Sequence, residues 1–124
     1  MARPPHRRMP ERTRTVVSAR HQRPVIDDLG LAAARHADRL LDAARERGHA
    51  RWTAYLEPLP DRLRDEDLRG LRAAAVRARA AYGPKDSIRD ALPGELTEPF
   101  LEAIDRLLRE IGRASCRERV FAVV

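Results

Sequence analysis

Apolar residues recur at three- and four-residue spacing along much of the chain, most clearly over residues 65–82. There Leu68, Leu71, Ala75, Ala78 and Tyr82 stack on one face of a helix. Asp65, Glu66 and Asp67 supply the acceptors and negative charge that a helix N-terminus favours. Gly83 and Pro84 end the pattern, Gly because it tolerates a left-handed cap and Pro because it cannot continue a helix. The same period predicts a first helix over 25–47 through Leu29, Ala33, Ala37, Leu40, Leu41 and Ala44. Asp27 or Asp28 would cap it, His36 lies beside its stripe, and Gly48 is its C′ residue. A last helix within 95–110 carries Leu96, Phe100, Ile104, Leu107 and Leu108, with Thr97 as its cap and Glu98 and Pro99 in its first turn. A short helix over 50–57 ends at Pro58, and a single turn over 87–92 is capped by Asp86 or Ser87. The pattern predicts an all-α fold, a small antiparallel helical bundle of about four helices joined by short loops.

Composition changes that picture in one respect. Aromatic residues are only 4% of the chain, so alanine supplies much of the apolar surface. An alanine contact buries little area, at about 25 cal/mol per Å². The predicted core is therefore thin, and a partner chain would help to stabilise it.

Charge is unevenly placed. The formal net charge is +6. Residues 1–24 hold seven Arg and one Glu, and residues 111–124 hold three Arg and one Glu. The body, 25–110, holds fifteen basic and seventeen acidic residues. The high isoelectric point thus belongs to the ends, which argues against a nucleic-acid-binding body, since such a domain carries its own basic face. Residues 1–24 contain prolines at 4, 5, 10 and 24, and few large apolar groups. That segment cannot offset its ordering entropy by burial and is expected to be a disordered basic arm. Translation starting at Met9 or later would shorten it. As an arm, it offers Arg3, Arg7, Arg8, Arg12 and Arg14 to nucleic acid.

Two groups in the body are candidate sites. Trp52, Tyr55, Leu56 and Leu59 concentrate bulky surface, as a core plug or as a partner-binding hot spot. Lys85, Ser87 and Arg89 lie in the polar connection before the last helix, where free N–H groups and two cations would hold a phosphate or carboxylate. The connection lacks the second glycine and the Lys-Ser/Thr ending of a P-loop. The sequence contains no GxSxG, CxxC, HExxH or Rossmann glycine pattern, so no catalytic residue, cofactor or metal is expected. Cys116 stands alone, so no intrachain disulfide marks an oxidising compartment. No run is long and apolar enough to predict a membrane span, which makes the cytoplasm the expected location. The function expected from these features is a small protein-interaction or regulatory module whose partner is another protein or a second copy.

Residues 111–120, IGRASCRERV, break the pattern. The stripe is expected to stop there, and the only cysteine falls in a run of arginines. The codon series ATC GGA AGA GCG TCG TGT AGG GAA AGA GTG encodes these ten residues and resembles a common short-read sequencing adapter read in frame. The two preceding adapter bases fit a GAG codon for Glu110. The resemblance implies that 111–124 is a non-native tail, that Arg113, Cys116, Arg117 and Arg119 carry no function, and that the native chain continues past Glu110 differently. A domain over 25–110, truncated at that junction, remains. Its texture resembles small helical proteins of high-GC bacteria, and no motif in it carries a function across.

Overall fold

A computed structural model describes the backbone of residues 3–65 and 67–123, and side chains over 23–65 and 67–114. Six helices follow one another: α1 (Arg3–Glu46), α2 (Ala50–Leu56), α3 (Leu59–Leu63), α4 (Leu68–Ala80), α5 (Ile88–Ala91) and α6 (Gly94–Val123). Among the described residues there is no strand, and the fold is an all-α bundle. The arm expected over 1–24 lies outside the described side chains, except for Arg23 and Pro24.

Helix α1 is the spine. It packs against α6, α3 and α2, while α4 packs against α6 and α3. Ile26, Ala33, Ala37, Leu40 and Ala44 hold the predicted period and are all buried. Asp27 and Asp28 do not cap this helix. The backbone before them is already helical, which leaves no free N–H for a cap to satisfy. Asp27 instead faces Arg23 one turn back, at 3.3 Å. At its other end, Gly48 takes φ +62°. The His49 N–H reaches the Ala44 carbonyl and the Gly48 N–H reaches the Arg45 carbonyl, which is a Schellman ending.

Gly30 is buried where α1 crosses α3 and α4. A Cβ placed on it would lie 2.8 Å from the Leu63 carbonyl oxygen and 3.4 Å from a Leu71 methyl. The crossing is closer than any side chain allows.

Short segments are set by local caps. The His49 ring nitrogen Nδ1 accepts from the Trp52 N–H to start α2. Asp67 accepts from the Arg69 N–H at 3.3 Å to start α4, and Asp65 accepts from the Asp67 N–H. Gly83 does not provide a left-handed cap for α4. The last turn tightens instead, with Ala81 and Tyr82 donating to the Ala78 and Arg79 carbonyls. The positive φ in this connection belongs to Asp86, at +52°. The Ile88 N–H then returns to the Ala81 carbonyl and closes the loop.

Helix α6 starts earlier than expected. The Pro93 carbonyl accepts from both the Leu96 and Thr97 N–H groups, so Thr97 is inside the helix and not at its cap. Thr97 is fully buried. The apolar stripe does not stop at residue 111 either. Ile111 is 1% exposed, and Ala114 packs on the same core. Both lie in register with Ile104, Leu107 and Leu108, so a continuing helix turns them inward. Among the described residues, no helix is long and apolar enough to cross a membrane.

Candidate functional site

Trp52, Leu56 and Leu59 are core residues. They are 4%, 0% and 0% exposed, so they offer no surface to a partner, and the hot-spot reading is corrected. The reason is the size of the other residues: with so much alanine on α1 and α4, the bulky groups of α2 and α3 are needed to fill the interior. Tyr55 alone stays half-buried. Its ring meets Trp52 edge-on at 5.2 Å, its hydroxyl donates to the Arg77 carbonyl, and the Arg77 guanidinium lies over it at 4.3 Å.

Of the three candidates in the α4–α6 connection, Ser87 and Arg89 are in contact and each already has a partner. The Ser87 hydroxyl oxygen accepts from the Arg89 N–H at 3.1 Å, which starts α5. Arg89 forms a forked pair with Glu98, through Nε at 2.9 Å and a terminal nitrogen at 3.0 Å. Its guanidinium also lies 5.4 Å from the centre of the Tyr82 ring. That hydrogen bond holds the Glu98 carboxyl below the usual range. Glu98 takes the Nε edge of the guanidinium, so an external anion at Arg89 would share the cation with a carboxylate already in place. Lys85 is exposed. The buried Tyr82 hydroxyl donates to the Thr97 carbonyl, and burial raises its pKa. These contacts lock the end of α4 onto the start of α6.

His36 is half-buried on α1. Burial, with Arg39 and Arg35 nearby, lowers its pKa from the usual histidine value. Among the described residues, no three His, Cys, Asp or Glu side chains converge as a metal site.

A surface that the sequence reading missed runs along the outer side of α4. Residues 68–80 contain four arginines and no acid. Arg69, Ala73, Val76 and Ala80 are all exposed, and their spacing puts them in one row. Val76 is 52% exposed, the most among the large apolar side chains described. Arg72 and Arg79 flank the row on one side and Arg77 on the other, all exposed. Arg79 pairs with Asp105 of α6 at 3.0 Å. Residues 86–105 show the opposite bias, with six acids and one arginine. The near-neutral sum of the body therefore hides two segments of opposite sign. The signal that would have found this surface is the lack of any carboxylate between Asp67 and Asp86, read against the helical wheel.

No protein-family model matches the chain, and no curated protein or solved structure is similar enough to show kinship.

Proposed function

We propose that this chain is a small helical protein-interaction module that presents the outer face of α4. The observation that carries the reading is Val76, half out of the surface at the centre of the row Arg69–Ala73–Val76–Ala80. Small side chains on either side let a second helix approach closely, and the arginines around them give it orientation. The inner face of α4 is fully used, with Leu71, Ala74, Ala75 and Ala78 in the core. The outer face, with an exposed valine and two alanines, makes no core contact. It is available for contact with another protein.

Light scattering of the full chain after size exclusion tests this directly. A self-associated species that Val76→Asp returns to monomer supports the reading. A chain that stays monomeric, and that also fails to bind the peptide described below, counts against it.

A further inference from the structure

We infer that the α4 face takes an acidic amphipathic helix of a protein partner. The inference rests on the interaction reading above and adds the chemistry of the partner. Three observations support it. The thirteen-residue helix α4 is about 20 Å long, which matches a few turns of a docked helix. Arg69 begins the exposed row and Arg72, Arg77 and Arg79 flank it, with no carboxylate among residues 68–80 and with Arg79 already paired to Asp105 of α6. The Val76 side chain stands at the middle of that arrangement and offers an apolar contact.

Charge decides the sign of the partner. The Arg79 guanidinium is already paired with the Asp105 carboxylate, and Arg89 donates to that of Glu98. One arginine of the face is thus already matched to a carboxylate at its edge with α6. Glutamates or aspartates flanking the apolar stripe of an incoming helix would find Arg69, Arg72 and Arg77 at similar spacing.

A nucleic-acid backbone fits the same face less well. Asp67 accepts at the α4 N-terminus, and exposed Asp65 lies beside it. A continuous polyanion along the helix axis would meet both carboxylates, whereas a short helix can stop before them. A phosphate backbone also leaves Val76 without an apolar partner, whereas the leucines of an amphipathic helix cover it.

The test uses the full chain and a fluorescent synthetic helix of about eighteen residues, with leucines at i, i+3, i+4 and i+7 and glutamates on the flanks. Anisotropy should show saturable binding below about 100 µM. Val76→Asp, and separately Arg69→Glu with Arg72→Glu, should each weaken it by about tenfold or more while helix content and melting stay near those of the parent. The same peptide with lysine in place of glutamate should not bind. Absence of saturable binding to the glutamate peptide overturns the inference. If Val76-dependent self-association persists in that case, the interaction reading stands and only the acidic partner falls. Equal binding of the lysine peptide also overturns it. So does tighter binding of a random DNA duplex that depends on Arg69 and Arg72 but not on Val76, which would assign the face to nucleic acid.

Discussion

The Leu63 carbonyl oxygen occupies the space that a side chain on Gly30 would need, 2.8 Å from the position of its Cβ. Helix α1 lies this close to α3 because residue 30 is glycine. In an open helix interior, Gly→Ala stabilises by about 1 kcal/mol. Here the obstacle is backbone and cannot rotate away, and overpacking of this kind costs about 1–3 kcal/mol. Gly30→Ala is expected to lower stability by about 1–2 kcal/mol, as the smaller propensity gain offsets part of the clash. Urea denaturation of the two proteins measures it. A stabilised Gly30→Ala would show that α1 and α3 separate easily.

Trp52 gives a second test, because its two readings predict different results. As the filling of a thin core it should cost about 3–5 kcal/mol when replaced by alanine, with Leu56→Ala at about 2–5 kcal/mol. As a surface anchor it would leave folding unchanged and affect only association. The 4% exposure of Trp52 favours the first outcome. A Trp52→Ala protein that unfolds at the same urea concentration as its parent would contradict the packing described for α2.

The helical period was legible wherever one face is buried. Leu71, Ala75 and Ala78 of α4, and Phe100, Ile104 and Leu107 of α6, all turn inward as their spacing requires. The ends were less legible. Thr97 looks like a cap by type, yet the Pro93 carbonyl starts α6 before it. Gly83 looks like a left-handed residue, yet Asp86 takes that conformation. Caps compete within a few residues, and tertiary contacts choose between them. Gly30 could not be read at all, because a close crossing depends on which backbone arrives opposite. The α4 face was missed for a related reason. A summed charge contains no direction, and Arg69, Arg72 and Val76 show as one outer face only when their positions are set on the wheel opposite Leu71 and Ala75.

His36 supplies a pH dependence near neutrality. Its folded pKa is lowered from the usual 6.5, mainly by burial. Between the lowered value and 6.5 the unfolded chain binds more proton than the folded one, so stability rises with pH across that window. The contribution of the neutral imidazole is fully present above the unfolded value and is lost as pH falls toward the folded one. His36→Gln should flatten the change in melting temperature between about pH 5 and pH 7. An unchanged slope would place the titration on another group.

Ile111 is buried and α6 runs on to Val123, and neither fact requires that residues 111–124 be native. Once Ile104 and Leu107 face the core, position 111 follows four residues later on the same side, and any apolar residue there is turned inward. The codon resemblance therefore stands independently of the packing, and it predicts that the locus, amplified again from independent DNA, departs from this sequence after Glu110. In that event Arg113, Cys116, Arg117 and Arg119 would drop out of any account of function. If the same codons return, the ten residues are genuine. Ile111→Ala should then cost about 2–5 kcal/mol as a core truncation, and the arginines that surround Cys116 become the next positions to substitute.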